Sequence, residues 1–285
     1  MPELPEVEVL VRRLAPMLPG RKIQKVDVCR ARIILPAAPE EFSRKLRGAT
    51  FVQVSRRGKY LLFEMRGNGG KTFPLVGHLG MTGRMYLAPE KRALPKHAAV
   101  VFQLGAENFV FEDTRYFGRL TLDTGGMEAL GPEPLNEEFT VESFSEALRR
   151  SAQPIKVKLL DQSVVAGVGN IYASEALFRA RISPQLAARR LKPAQIVRLR
   201  DAIRETLLEA VNAGSTVPLS NGADANGLFY ADAIGEEFYE KRLRVYDREE
   251  KPCVTCGTPI KRIVQAARST FYCPHCQKSG QSTVR

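Results

Sequence analysis

Two Cys-x-x-Cys pairs near the end of the chain constrain its fold more than any other feature. They are Cys253 with Cys256 and Cys273 with Cys276, and residues 257–272 lie between them. This spacing is typical of a zinc ribbon, in which two tight turns each supply two thiolates to one tetrahedral ion. Because four cysteines leave no open position on the metal, we expect one structural Zn2+ that takes no part in chemistry.

The charge of the chain indicates a polyanionic partner. The formal net charge is +12, and from Lys241 to Arg285 ten Lys or Arg stand against three Asp or Glu. Solubility alone could explain an excess of basic residues, but here the excess is concentrated around the predicted metal site. This concentration favours a nucleic acid as the partner.

Other sequence features predict a cytoplasmic protein without a membrane anchor. No segment has the length of apolar sequence that a membrane helix needs, and the start Met1-Pro2-Glu3 lacks the pattern of a secretory signal. Cys29 has no partner in the cysteine pattern. Four cysteines arranged for metal and one left over suit a reducing compartment better than a disulfide framework.

Apolar periodicity predicts an α+β, multi-domain fold. Residues 5–15 have the spacing of an amphipathic helix, and residues 21–122 change to short β-rich runs separated by glycine, as in an antiparallel sandwich or barrel of several strands. Helical periodicity returns after residue 155, with Asn170 as a predicted N-cap and residues 193–213 as a long helix that Gly214 is expected to end. The predicted parts are an N-terminal β-sandwich domain over 1–125, a linker over 126–154, a helical domain over 155–240 with a loop at 215–235, and a zinc-ribbon finger over 241–285.

The first residues can support covalent chemistry. Removal of Met1 would leave Pro2 as an N-terminal secondary amine, and α-amino groups have a pKa of about 7.7–8.0, so part of the population is neutral near pH 7. A neutral amine can attack a masked carbonyl carbon, and a secondary amine then gives an iminium ion. Glu3 lies next to it as a proton donor. The alternative interpretation is an ordinary terminus with an acidic first helical turn.

The chain resembles the formamidopyrimidine-DNA glycosylases, bacterial repair enzymes for oxidised purines, along its whole length. The similar blocks, in order, are Met1 to Glu8, Arg56 to Leu61, His78 to Gly83, Lys96-His97, Asp113 to Gly118, Leu130 to Leu135, Ile155-Lys156, Leu160 to Gln162, Gly167 to Glu175 and Arg268 to Gln277. The resemblance implies a helix–two-turn–helix element around 167–170. It also implies that the chain acts as a monomer on double-stranded damaged DNA.

The resemblance implies four catalytic residues. Pro2 would attack C1′ of the damaged nucleotide and displace the base, and Glu3 would protonate the opening sugar ring. Lys59 would assist β-elimination as a proton donor. Arg268 would hold a phosphate and help the second, δ-elimination. Alone, Lys59 and Arg268 could equally be solvated surface charges.

Seven further residues are implied to contact DNA. A glycosylase takes the damaged base out of the stack, and side chains fill the space that it leaves. Met81, Arg115 and Phe117 match the residues that fill it, although Met81 and Phe117 could also be core residues. The residues implied to contact phosphates are His78, His97, Lys156 and Asn170.

The chain also departs from the family pattern. Ala98-Ala99 follow His97 where the family usually has Asp-His, and Thr114 and Tyr116 replace a usual Pro and Arg. These changes bear on DNA contacts and leave the amine chemistry intact. Two alternatives remain open: an endonuclease VIII-type glycosylase for oxidised pyrimidines, against which Leu4 argues, and a non-catalytic zinc-ribbon DNA-binding paralogue, against which intact Pro2, Glu3 and Lys59 argue.

Overall fold

Two compact units make up the protein. The computed structural model describes residues 2–214 and 243–278. Of these residues, 2–128 belong to the first unit, and 129–214 and 243–278 belong to the second. Within the described ranges, none of the helices is long and apolar enough to cross a bilayer.

The first unit contains two antiparallel four-stranded sheets. Their strand orders are β1-β6-β7-β5 and β2-β3-β4-β8. Two α-helices, α1 (Leu4–Leu14) and α2 (Pro39–Leu46), and a 3₁₀ helix (Ala31–Ile34) complete this unit, with a second 3₁₀ helix (Gly125–Met127) at its end. The strands are β1 (Lys25–Val28), β2 (Thr50–Arg57), β3 (Tyr60–Arg66), β4 (Thr72–His78), β5 (Gly83–Pro89), β6 (Ala98–Gln103), β7 (Glu107–Asp113) and β8 (Arg119–Thr121).

Aromatic side chains from both sheets form the core of this unit. Phe51 and Phe63 of one sheet meet Phe102 and Phe109 of the other, with ring centroids 5.7–6.4 Å apart. All four rings are at most 1% exposed. Such buried rings, packed largely edge to face, contribute substantially to the stability of a core. The predicted antiparallel sandwich is thus confirmed.

Helix α1 packs its apolar stripe into the same core. Val7, Leu10 and Leu14 are at most 3% exposed, as the predicted spacing requires. Pro5 occupies the first turn, where its missing N–H costs no hydrogen bond. The helix contacts β2 and β3, so it is fixed against one face of the sandwich.

The second unit is mainly helical. Its α-helices are α3 (Val141–Arg149), α4 (Ile155–Leu159), α5 (Asn170–Arg179) and α6 (Pro193–Asn212), with a 3₁₀ helix at Ala188–Arg190. Helix α3 lies inside the segment predicted as a linker, contacts α6 and buries Phe144 and Leu148. That segment is therefore partly structured, and the domain boundaries stay a prediction.

One of two predicted helix caps, at the start of α5 and at the end of α6, is found in the structure. Gly169, and not Asn170, is the N-cap of α5, because Asn170 already has helical geometry and its side chain binds elsewhere. The predicted C-terminal glycine of α6 is confirmed: Gly214 has a φ of 79°, a conformation that glycine adopts without strain. The loop predicted over 215–235 lies outside the described residues.

The predicted ribbon contains a two-residue hairpin. Strands β9 (Lys261–Gln265) and β10 (Arg268–Tyr272) pair antiparallel, with Gln265 opposite Arg268. Ala266 and Ala267 have φ of 47° and 57°, which is the left-handed pair of a type I′ turn. Alanine is an unusual residue at both positions, so this turn could not be predicted from local residue preferences.

Candidate active site and nucleic-acid interface

Pro2 and Glu3 lie at the start of α1, held by burial of the helix behind them. Pro2 is buried, Glu3 is 1% exposed, and Leu4 and Val7 have no exposed surface. The backbone N–H of Glu3 donates to the carboxylate of Glu6 at 2.7 Å. The backbone at the predicted nucleophile is therefore fixed by packing and by a hydrogen bond.

Lys59 lies in the turn between β2 and β3, directly before Tyr60, the first residue of β3. Arg57 pairs with Tyr60, which leaves a two-residue turn of Gly58 and Lys59. Gly58 has a φ of 56°, as the first position of a type II′ turn requires. Lys59 is only 9% exposed, so this turn holds its ammonium group close to the protein.

His78 lies beside this turn as a neutral imidazole. It is the last residue of β4, opposite Tyr60, with the two rings 5.0 Å apart. Burial, with the nearby charges of Lys59 and Arg119, lowers the pKa of His78 to about 4. Because Nδ1 accepts the Gly80 N–H at 3.1 Å, the ring proton lies on Nε2, which leaves one neutral donor for a ligand.

The three predicted gap-filling residues lie on adjoining loops. Met81 is 42% exposed and Phe117 43% exposed, so neither is a core residue. The guanidinium of Arg115 lies 4.9 Å from the centroid of the Phe117 ring. A Cβ on Gly80 would lie 2.6 Å from the backbone of Phe117 and Gly118, so the two loops are in contact.

His97 is tied to Tyr116, one of the departures from the family pattern. Its Nδ1 lies 3.2 Å from the Tyr116 hydroxyl. Tyr116 has a φ of 53°, and the guanidinium of Arg30 lies 5.3 Å from the centroid of its ring. Sequence reasoning missed Arg30, because no local pattern links residue 30 to residue 116.

Lys156, Asn170 and the hairpin strand β10 meet in the second unit. The ammonium group of Lys156 binds Oδ1 of Asn170 and lies 3.5 Å from the carbonyl oxygen of Ser269. Asn170 donates from Nδ2 to the same carbonyl at 3.0 Å. Arg268 is exposed immediately before Ser269. Lys156 has no exposed surface, so in this structure it holds the hairpin, and its phosphate contact stays a prediction.

The sequence did not predict the structural role of two further side chains in the second unit. The buried carboxylate of Glu175 accepts the backbone N–H groups of Arg244, Val245 and Tyr246 at 2.8–2.9 Å. Gln277 accepts from Cys273 N–H and donates to the carbonyl of Ile182. Together they attach the ribbon to α5 and the turn that follows it.

The four cysteines fit one zinc ion. The sulfur atoms of Cys253, Cys256, Cys273 and Cys276 all lie within 4.8 Å of one another, with separations of 4.0 Å for Cys253–Cys276 and 3.5 Å for Cys256–Cys273. A tetrahedral Zn2+ with Zn–S bonds of about 2.3 Å requires S–S separations of about 3.8 Å. The site is therefore preformed for one structural zinc, as the spacing predicted.

Three family descriptions match the chain. They are the formamidopyrimidine-DNA glycosylase N-terminal domain over residues 1–120, the H2TH domain of the same enzymes over 130–220, and the zinc finger found in FPG and IleRS over 250–278. Together they span both units.

Individual relatives agree with these matches. The formamidopyrimidine-DNA glycosylase of Symbiobacterium thermophilum is 43% identical, over 97% of this chain and 89% of the relative. Two solved structures superpose with TM-scores of 0.86 at 34% identity, covering 98% of this chain and 100% of each of theirs. One is wild-type Lactococcus lactis Fpg with an oxidised pyrimidine containing DNA, and the other is MutM with carbocyclic 8-oxo-G containing DNA. The chain therefore belongs to the formamidopyrimidine-DNA glycosylase family.

Proposed function

We propose that this chain is a DNA glycosylase and AP lyase that excises oxidised purines, including formamidopyrimidines and 8-oxoguanine, through a Schiff base on Pro2. The observation that carries the proposal is the placement of Pro2, Glu3 and Lys59 on one rigid framework. Pro2 and Glu3 directly precede the buried helix α1, and Lys59 lies in a tight turn of the sheet against which that helix packs.

The first half of the reaction breaks the bond to the base. With Met1 removed, the lone pair of the Pro2 nitrogen attacks C1′, and the C1′–N bond breaks with its electrons leaving on the base. Glu3 donates a proton to O4′ as the C1′–O4′ bond breaks. The Pro2 nitrogen loses its proton and forms a cationic iminium with C1′.

The second half breaks the strand twice. The iminium withdraws electrons, so loss of a proton from C2′ expels the 3′ phosphate, and Lys59 donates a proton during this β-elimination. Loss of a further proton leads to expulsion of the 5′ phosphate, with Arg268 binding that phosphate. The product is a gap flanked by two phosphates. Water hydrolyses the iminium and regenerates the Pro2 amine.

The remaining predicted residues bind DNA in this proposal. Met81, Arg115 and Phe117 fill the space that the extruded base leaves, and their exposure on adjoining loops supports this role. The residues proposed to contact phosphates are His78, His97, Lys156 and Asn170. The neutral Nε2–H of His78 supplies a donor without adding charge.

We further propose that the chain acts as a monomer in the bacterial cytoplasm on double-stranded damaged DNA. All relatives named above are bacterial or bound to DNA, and the reduced four-cysteine site suits a reducing compartment. Sedimentation of the zinc-loaded protein with and without a lesion duplex tests this oligomeric state. A concentration-dependent dimer in both samples would contradict it.

Excision of oxidised pyrimidines is a second candidate activity. The relative from Lactococcus lactis forms a complex with DNA that contains such a lesion, so a similar protein binds DNA carrying damage other than oxidised purines. Leu4, where the pyrimidine-specific relatives usually carry glycine, favours purines as the main substrate in this chain.

Borohydride trapping on three duplexes tests the proposal. The duplexes carry 8-oxoguanine, an oxidised pyrimidine or an abasic site, and the reductant converts the iminium to a stable covalent complex. We expect trapping on the purine lesion and on the abasic site. Trapping on the pyrimidine lesion without the purine supports the endonuclease VIII-type alternative, and no trapping at all supports the non-catalytic paralogue.

A further inference from the structure

The carboxylate of Asp113 is buried, and among the described residues it is bound by neutral donors. It lies at the end of β7 with no exposed surface. Oδ1 accepts the Thr82 hydroxyl at 2.6 Å and the Arg115 N–H at 3.1 Å, and Oδ2 accepts the Gly118 N–H at 2.7 Å. In the described ranges no Lys or Arg is paired with it. Burial of a carboxylate is costly unless hydrogen bonds compensate for it. Because three donors in fixed positions do so here, we interpret Asp113 as a residue that fixes the position of the segments that supply them.

These donors come from the two loops that carry the gap-filling side chains. Thr82 follows Met81, and its hydroxyl oxygen also lies 3.3 Å from the Arg115 N–H. Gly118 follows Phe117. Asp113 therefore joins the Met81 loop to both ends of the loop that holds Arg115 and Phe117.

A second contact holds the same loops together. Gly80 has a φ of 61° and approaches the backbone so closely that a Cβ there would lie 2.8 Å from the Phe117 carbonyl oxygen. Residues 80–83 are therefore fixed to residues 114–118 by a backbone contact at Gly80 and by side-chain bonds at Thr82. Neither loop can shift far without breaking both.

We propose that Asp113 and Thr82 are positioning residues that lock the two loops into one rigid probe, so that Met81, Arg115 and Phe117 enter the duplex together. This inference rests on the proposed function, because a gap to fill exists only if a base is extruded. Extrusion of the base already costs the free energy of stacking. A preformed probe does not add the entropy cost of ordering its side chains in the same step. Loosening the loops therefore slows the extrusion step more than the later chemistry.

The test compares a lesion that must be extruded with one that has no base. Thr82→Val keeps the shape of the side chain and removes the bond to Asp113. We expect its single-turnover rate on an 8-oxoguanine duplex to fall about tenfold more than its rate on an abasic duplex. A factor of about ten corresponds to the loss of one hydrogen bond to a charged group. Thr72→Val is the matched control, since Thr72 is exposed at the far end of β4, and we expect the two rates to stay within twofold of wild type.

A double substitution separates positioning from general destabilisation. If Thr82 acts through Met81 and its neighbours, Thr82→Val should cost much less on the lesion duplex when Met81→Ala is already present. Equal losses on both duplexes, no loss on either, or fully additive losses in the double variant would each overturn the inference.

A binding measurement decides the inference without turnover. We place 2-aminopurine opposite an uncleavable abasic analogue and expect wild type and Thr72→Val to raise its fluorescence by unstacking it. Thr82→Val should raise it less at saturating protein. If wild type neither cleaves nor becomes trapped, the proposed function fails by itself, and an identical fluorescence rise for Thr82→Val would separately exclude the rigid probe.

Discussion

Arg56 binds the carboxylate of Glu8, with Nε 3.0 Å from Oε2. Glu8 belongs to α1, and the same guanidinium donates from Nη1 to the carbonyl of Gly58 at 3.0 Å. Arg56 thus connects the helix that follows Glu3 to the turn that holds Lys59. No local sequence pattern pairs residue 8 with residue 56, so this bridge emerges only from the fold.

We expect Glu8→Gln to lower the free energy of unfolding by about 2 kcal/mol at pH 7, because the nearly buried Arg56 loses its ion pair with Glu8. Burial alone would raise the pKa of Glu8, but hydrogen bonds from Arg56 and Arg12 hold it below its usual value. The carboxylate therefore stabilises the fold above the unfolded-state pKa of about 4.3, and this contribution is lost as the pH falls further.

Urea unfolding at pH 7 and at pH values below 4 measures this effect. The difference between wild type and Glu8→Gln should shrink at the lower pH. Glu40→Gln, at an exposed position of α2, serves as the control and should change little. An equal difference at both pH values would contradict the assignment of the bridge to an ionised Glu8.

We expect His78 to make the protein less stable as the pH falls from about 6.5 to 4. Its pKa is lowered to about 4, whereas an unfolded histidine titrates near 6.5, so the unfolded chain binds more protons in this window. The free energy of unfolding should fall by up to about 3 kcal/mol from this residue alone.

His78→Asn tests this expectation. Asparagine keeps an oxygen near the position of Nδ1 as an acceptor for the Gly80 N–H, but does not titrate, so the pH dependence between 6.5 and 4 should flatten. Because the chain has three histidines, proton NMR can follow each ring separately. A midpoint near 6.5 for His78 in the wild type would show that the ring is not held neutral.

The sequence predicted those parts of the fold that depend on local patterns. The stripe Val7, Leu10 and Leu14, the glycine after α6 and the cysteine spacing each follow from periodicity or turn chemistry, and the structure confirms all three. The proximity of Met81 and Phe117 was predicted only through family resemblance, since they lie on loops joined by contacts distant in sequence.

Other features could not be predicted because tertiary contacts outweigh local preference. Asn170 has the residue type of an N-cap, yet its amide binds the Ser269 carbonyl, and glycine occupies the cap position. From the sequence, Asp113 looks like an ordinary exposed acidic residue at the end of a strand. In the structure its carboxylate is buried and accepts hydrogen bonds from Thr82 and Gly118. Glu175 likewise has the residue type of an exposed helix position, but its carboxylate accepts the backbone N–H of Arg244, which is distant in sequence.

We expect Pro2→Gly to reduce Schiff-base formation at least tenfold while the fold is preserved. Glycine supplies a primary amine, which forms an imine that must be protonated before it carries the fixed charge of the proline iminium. Borohydride trapping on an abasic duplex measures the change, and circular dichroism checks the fold. Equal trapping by the variant would exclude Pro2 as the nucleophile.

Retention of Met1 provides an independent check on the same nitrogen. In that form the Pro2 nitrogen is part of an amide and has no nucleophilic lone pair. Mass spectrometry of the N-terminus should therefore show that only the fraction without Met1 becomes covalently attached to DNA.

We expect Cys256→Ser to lose zinc and DNA affinity together. The ribbon has a small core, and the metal joins its two turns, so the binding energy of the ion is also folding energy. Zinc content and the dissociation constant for a lesion duplex are measured on the same sample. Cys29→Ser is the matched control, because Cys29 is exposed outside the cluster. Retained affinity in a zinc-free sample would show that the ribbon is dispensable for binding.

We expect Arg268→Ala to uncouple the two elimination steps. Arg268 is the first residue after the Ala266-Ala267 turn, and the backbone beside it is held by Asn170 through the Ser269 carbonyl. Its loss should leave base removal and β-elimination largely intact while the ratio of δ- to β-product falls about tenfold, as for loss of one hydrogen bond to a charged group. Gel separation of the two product ends measures this ratio.

Lys261→Ala removes the same charge at the other end of the hairpin, where Lys261 pairs with Tyr272, and should leave the ratio unchanged. If both variants shift the ratio equally, the effect comes from the net charge of the ribbon and not from Arg268.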